Sequence, residues 1–384
     1  MRKIYLDSAA TAPICATAKA AAIATMDNFG NPSSVHAMGL AAEKEVTFAR
    51  EAVARAINAK PSEICFTSSG TEANNLAILG GAKLHAGASI ITSPAEHSST
   101  KNPIMSLEQR GFKMFHVEHN MDGSVNQDSL WAVLSAVSPV SMVSLHHVQN
   151  ETGVIQDIAA LSKIIKEICP SALFHVDAVQ SFCKIPVDVR ALGVDLLSIS
   201  AHKIGGLKGC GALFVREKVH INPIIFGGGQ ESGLRSGTEN VVGIAAFGAT
   251  AKERFDRLKE NFEYVGSLKK QFNEAISDLG AEVNGQNTSP YILNISVADI
   301  RPEVLLNALS AEGVYISAGS ACSSNKRQKR DEGAVLASYG LSDERAQTAV
   351  RISFSPENTA GEVAEAADIF MQCIKNLRKM KRLR

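Results

Sequence analysis

Short, almost wholly apolar runs separated by stretches of helical periodicity constrain this 384-residue chain more than any other feature. The runs cover residues 89–92, 113–117, 141–147, 173–176, 196–200 and 212–215, each bounded by turn-forming residues. A run that short and that uniformly apolar suits a strand buried on both faces. Parallel strands also need a long crossover between them, which a helix supplies. Residues 36–58 show the helical partner: Ala42, Val46, Ala49, Val53, Ala56 and Ile57 recur at spacings of three and four and make one apolar stripe. The alternation predicts an α/β fold around a sheet with many parallel strands.

After Gly243 the texture changes. Residues 244–279 read as one long helix rich in Lys and Glu, followed by a strand over 291–297, a helix over 302–311 and a closing helix over 360–380. The chain is therefore expected to divide near residue 255, with 14–255 as a large domain and 1–13 joining 256–384 in a smaller α/β domain. The 39 basic and 39 acidic side chains cancel, which argues against a general polyanion or nucleic-acid binder. No apolar stretch approaches the roughly 18 residues that a membrane span requires. Residues 1–11 carry Asp7 and lack the apolar run of an export signal. Seven scattered cysteines without a CxxC pair predict neither a disulfide framework nor a zinc ribbon, and a reducing cytoplasm is the expected setting.

In a doubly wound sheet, ligands sit beyond the carboxyl ends of the strands, and polar clusters stand at those places. Residues 67–72 (Thr-Ser-Ser-Gly-Thr-Glu) lead into an apolar segment. Free N–H groups at a helix start there suit a phosphate, although the same residues also read as a simple N-cap. Lys203 follows a buried-looking strand, where desolvation lowers a lysine's pKa and makes it a nucleophile able to form a Schiff base. A lysine emerging into solvent is the plainer reading. Asp177 closes another strand and, besides capping, could pair with a pyridinium nitrogen, with Gln180 three residues on able to donate to a phenolate oxygen. The combination of phosphate cradle, carboxylate and Schiff-base lysine is the set that pyridoxal phosphate requires.

These residues resemble the NifS/IscS-like cysteine desulfurases of the class V aminotransferases, over nearly the whole chain. The shared stretches include residues 5–11 (Tyr-Leu-Asp-Ser-Ala-Ala-Thr), 31–36 (Asn-Pro-Ser-Ser-Val-His), 71–75 (Thr-Glu-Ala-Asn-Asn), Glu96-His97, and 150–154 (Asn-Glu-Thr-Gly-Val). They continue through 175–180 (His-Val-Asp-Ala-Val-Gln), 200–203 (Ser-Ala-His-Lys), 227–230 (Gly-Gly-Gly-Gln), 235–238 (Arg-Ser-Gly-Thr), 317–322 (Ser-Ala-Gly-Ser-Ala-Cys) and Arg351. The resemblance implies the aspartate-aminotransferase-like transferase fold that uses pyridoxal 5'-phosphate. By it, Lys203 carries the cofactor and moves protons at the substrate Cα, Asp177 holds the pyridine nitrogen, and His97 stacks on the ring. Gln180 and Asn150 lie at the phenolic oxygen, with Asn150 also near the substrate carboxylate. Gly70, Thr71, Ser200 and His202 hold the phosphate. Thr238 resembles the residue that reaches the phosphate from a neighbouring subunit, which implies a homodimer, and Arg351 binds the substrate carboxylate.

Cys322 distinguishes the desulfurase reading. It lies among small residues that permit an exposed loop, and Lys326, Arg327, Lys329 and Arg330 follow closely and favour its thiolate. The implied reaction converts L-cysteine to alanine, leaves a persulfide on Cys322 and passes the sulfur to an acceptor protein, an iron–sulfur scaffold or a tRNA-thiolation enzyme. A selenocysteine lyase, another class V enzyme acting on a β-substituted amino acid, and a non-catalytic sulfur-assembly subunit are the competing readings. Ser8 and Ser232 stand where the family usually has Asn and Arg, and the basic segment 325–333 departs from the usual loop, a difference that bears on the choice of acceptor. His146-His147 ends a strand, and one of the pair is expected near the crevice. The last ten residues hold six basic side chains, which a helix C-terminus accommodates.

Overall fold

The computed structural model describes residues 3–82, 87–318 and 334–382. Its strands are, in chain order, β1 (Ile4–Tyr5), β2 (Ile64–Thr67), β3 (Ser89–Thr92), β4 (Lys113–His116), β5 (Val140–His146), β6 (Leu173–Asp177), β7 (Leu196–Ser200), β8 (Gly211–Val215), β9 (Glu282–Val283), β10 (Ile292–Ser296), β11 (Val314–Tyr315), β12 (Ser317–Ala318) and β13 (Ala349–Ser353). Seven of them form the main sheet in the order β2-β8-β7-β6-β5-β3-β4. From β7 through β4 the neighbours run parallel, as the apolar runs predict. β8 is antiparallel to both β7 and β2. Ten residues separate β7 from β8, too short a connection for the usual helical crossover back to a parallel neighbour.

The fold is thus α/β with a mostly parallel central sheet. β3 has β4 on one side and β5 on the other, so the winding reverses there, and the crevice beyond the carboxyl ends of β3 and β5 is where such a sheet takes a ligand. Helices cover both faces. The helix Ala37–Ala56 buries Ala42, Val46, Ala49 and Val53, the predicted stripe, against the helix Val241–Asp256.

The long helix expected over 244–279 is instead two, Val241–Asp256 and Leu258–Ala275, broken at Arg257 with φ −108° and ψ 18°. The periodic residues serve two different cores. Ile244, Phe247 and Ala251 pack with the main sheet, whereas Val265, Leu268 and Phe272 pack with β10, β13 and the closing helix Ala360–Arg382. A straight rod cannot face both. Ile4, Leu6 and Ala9 belong to the second core, and β1 pairs in parallel with β11. The separate cores support a division into 14–255 and 1–13 with 256–384, which we propose as the two domains. β12, β13, β10 and β9 make a four-stranded antiparallel sheet there.

Candidate active site

The carboxyl ends of β5, β6 and β7, with the segment after β3, open on one cavity of about 360 Å³. Gly70, Thr71, His97, Asn150, Asp177, Gln180, Ser200, His202, Lys203 and Arg351 all line it. Thr238 does not; it is exposed on the surface of its own chain. Cys322 lies outside the described residues.

Asp177 ends β6 almost fully buried, and the fold satisfies both carboxylate oxygens: Asn74 Nδ2 donates to Oδ2 at 2.7 Å and the Val179 N–H donates to Oδ1 at 3.0 Å. Asn74 also donates to Ser99 Oγ at 2.9 Å, and Ser99 Oγ lies 2.7 Å from His97 Nδ1. His97 Nδ1 accepts the Ser99 N–H as well, capping the helix Ser98–Glu108. Burial lowers the His97 pKa, partly opposed by the Asp177 charge, and Lys203 and Lys101 push in the same direction as burial. Asn74 and Ser99 were not foreseen as site residues. Their signal, an Asn one turn inside the helix that begins at Gly70 and a Ser two places after His97, is indistinguishable in sequence from ordinary helix residues. His146 lines the cavity whereas His147 does not; His146 Nδ1 sits 2.7 Å from Glu96 Oε1.

Lys203 closes the short turn after β7. Its Nζ donates to the carbonyl oxygens of Ala9 at 2.7 Å and Ala10 at 2.8 Å, so the N-terminal segment holds the amine inside the crevice. Arg351, on β13 and 3% exposed, donates from Nη2 to Asp7 Oδ1 at 2.8 Å and from Nη1 to the Asn150 carbonyl at 2.9 Å, while its buried Nε has no partner.

The residues at the mouth of β2 and β7 fit a phosphate. Ser69 caps the helix Gly70–Gly81 by accepting the Glu72 N–H at 3.1 Å, which leaves the earliest N–H groups directed out of the helix end. A Cβ on Gly70 would meet Val179 Cγ2 at 2.6 Å, so the backbone there approaches as closely as glycine allows. Ser200 Oγ is buried beside it with no hydrogen-bond partner, a donor awaiting an acceptor. The His202 pKa is depressed to about 4, by burial first and then by Lys203, so the ring is neutral near pH 7.

Six cysteines are described, all free. Burial raises the thiols of Cys65, Cys169, Cys183, Cys210 and Cys373 above the ordinary range, Cys210 to about 12, which makes them poor nucleophiles. No helix among the described residues is long and apolar enough to cross a membrane.

The family model of the class V aminotransferases matches residues 4–365, and the chain belongs to that family. The cysteine desulfurase IscS of Dictyoglomus turgidum is 38% identical across 98% of this chain and 96% of its own length. Among solved structures, a NifS-like protein superposes with a TM-score of 0.90 at 33% identity, over 97% of this chain and all of its own. A protein described as SspA in complex with cysteine superposes with a TM-score of 0.81, also at 33% identity, over 93% of this chain and all of its own.

Proposed function

We propose that the chain is a pyridoxal-phosphate-dependent cysteine desulfurase. It takes L-cysteine, releases alanine and holds the sulfur as a persulfide on Cys322 for transfer to an acceptor protein, in iron–sulfur cluster assembly or tRNA thiolation. One observation carries the reading: a lysine amine, a carboxylate held by one hydrogen bond on each oxygen and an unpartnered serine hydroxyl at a helix N-terminus converge on one cavity whose remaining wall holds Arg351. The named relatives support the substrate.

Lys203 would carry the cofactor and take the Cα proton. Asp177, fixed by Asn74 and Val179, would keep the pyridine nitrogen protonated, and His97 would lie against the ring. Gly70, Thr71, Ser200 and His202 would hold the phosphate, with Gln180 and Asn150 at the phenolic oxygen. When bound, pyridoxal phosphate supplies an electron sink for the bonds at the substrate Cα. Arg351, together with Asn150, would orient the substrate carboxylate. The Cys322 thiolate would attack the substrate sulfur as its bond to Cβ breaks, and that carbon would gain a proton to give alanine. Ala318, four residues before Cys322 in the sequence, pairs with Val350 next to Arg351. Ala334, where the described chain resumes, lines the cavity.

A homodimer fits the surface. Phe29, Val35 and Phe226 are 79%, 92% and 81% exposed, apolar side chains that a partner subunit would cover. Thr238 belongs to the same loop region as Phe226, which Arg235–Glu72 and Glu231–Arg50 ion pairs, each 2.8 Å, tie to the body of the chain. The free thiols suit a cytoplasmic setting.

The test is an anaerobic assay that follows the visible absorbance of added cofactor while L-cysteine is supplied and alanine is counted. A yellow protein that forms alanine, and a Cys322→Ala variant that binds cysteine but forms none, is the expected result. A yellow protein inert to cysteine would move the substrate to selenocysteine or another β-substituted amino acid. A protein that takes up no cofactor would overturn the assignment.

A further inference from the structure

Lys184 is buried, 4% exposed, and no part of the chemistry above uses it. It projects inward from the turn after β6, where Cys183 adopts a left-handed φ of 53°. Its Nζ lies 5.6 Å from the centre of the Tyr291 ring and donates to Gln180 Oε1 at 3.2 Å. The other end of the same amide, Gln180 Nε2, donates to the Ala9 carbonyl at 2.9 Å, the oxygen that also receives Lys203 Nζ. Both contacts impose one orientation. An ammonium can serve the amide oxygen but not the amide nitrogen, and a backbone carbonyl can only accept. Turning the amide over would set donor against donor at Lys184 and acceptor against acceptor at Ala9.

We propose that Lys184 is a positioning residue that locks the Gln180 side-chain amide with its nitrogen turned toward the cavity. Gln180 Nε2 keeps one N–H on Ala9 and has a second free for a ligand atom in the cavity that Gln180 lines. The inference rests on the reading that this ligand is pyridoxal phosphate, whose phenolic oxygen would then meet a donor and never the amide carbonyl. Burial, with Lys203 and Arg351 nearby, depresses the Lys184 pKa to about 7. The ammonium enforces this orientation from the oxygen side; the neutral amine can also accept, and in that state the Ala9 carbonyl alone enforces it.

The test compares full-length wild type, Lys184→Met, Gln180→Ala and the double variant, each loaded with pyridoxal phosphate. The readouts are the pH at which the visible band of the bound cofactor shifts, and the cofactor's affinity. Lys184→Leu offers a second apolar replacement, and thermal melting checks that both variants fold. Loss of an oriented donor at the phenolic oxygen is expected to raise the spectral midpoint of Lys184→Met by about half to one pH unit, the size one hydrogen bond carries. In the Gln180→Ala background, Lys184→Met is expected to add nothing. An equal shift in both backgrounds would mean that Lys184 acts by charge through space, and an unchanged midpoint in Lys184→Met would mean that it does not act at all; either overturns the inference while leaving the proposed function intact. A wild type that remains colourless would overturn the functional reading instead.

Discussion

Single residues in this chain matter through what holds them. Asp177 is a useful carboxylate because Asn74 and the Val179 N–H occupy its oxygens and fix its direction at the end of β6. Replacing Asn74 by Leu leaves Oδ2 buried without its donor and frees Ser99 and His97 from the same chain of contacts. We expect pyridoxal-phosphate affinity to fall about tenfold, measured by titrating the cofactor-free protein, as befits losing one hydrogen bond to a charged group. At this scale the chemistry was largely legible. Lys203, Asp177 and Gln180 follow or close strands and read as chemistry from the sequence, whereas His97, Ser200 and Arg351 were expected through the family resemblance; all six line one cavity. Asn74, Ser99 and Lys184 were not legible in that way. An amide, a hydroxyl or a lysine has no distinct sequence signature until its partner across the fold is known.

Among the elements, the helices Ala37–Ala56 and Val241–Asp256 cross at closest approach. A Cβ on Gly248 would meet Ala49 Cα at 2.4 Å. Gly248→Val is therefore expected to destabilise the protein by about 3 kcal/mol through overpacking, seen as a lower urea midpoint with little change in slope. The strands in the parallel part of the sheet agree with the apolar runs within a residue; β3, β5, β6 and β7 are buried on both faces, whereas the edge strand β4 is partly exposed. β2 and β13 were missed, although both are fully buried. β13 carries Arg351 in its centre, which interrupts its apolar run, while β2 (Ile-Cys-Phe-Thr) is as apolar as the runs that were read and too short to stand out. The break at Arg257 was invisible for a related reason: the apolar spacing continues through it, and only the presence of two cores turns the chain.

For the molecule as a whole, the exposed Phe29, Val35 and Phe226 and the surface position of Thr238 belong to the proposed homodimer. Phe226→Asp combined with Val35→Asp is expected to give monomers by sedimentation and to weaken cofactor retention at least tenfold, since Thr238 would lose the neighbouring site it is proposed to complete. Dimers persisting with full cofactor would count against that arrangement. The sequence by itself determined the α/β class, the parallel strands, the order of the motifs and the chemical types gathered for the site. Those follow from local periodicity and from side-chain chemistry, which a chain carries before it folds. Only the tertiary structure decided that Lys203 is gripped by the carbonyls of Ala9 and Ala10, that Arg351 is shared with Asp7 and Asn150, and that Ser200 lacks a partner at the helix start. These are contacts between residues up to 344 positions apart. Their geometry is set by how the two cores and the N-terminal segment pack together, which no local pattern records.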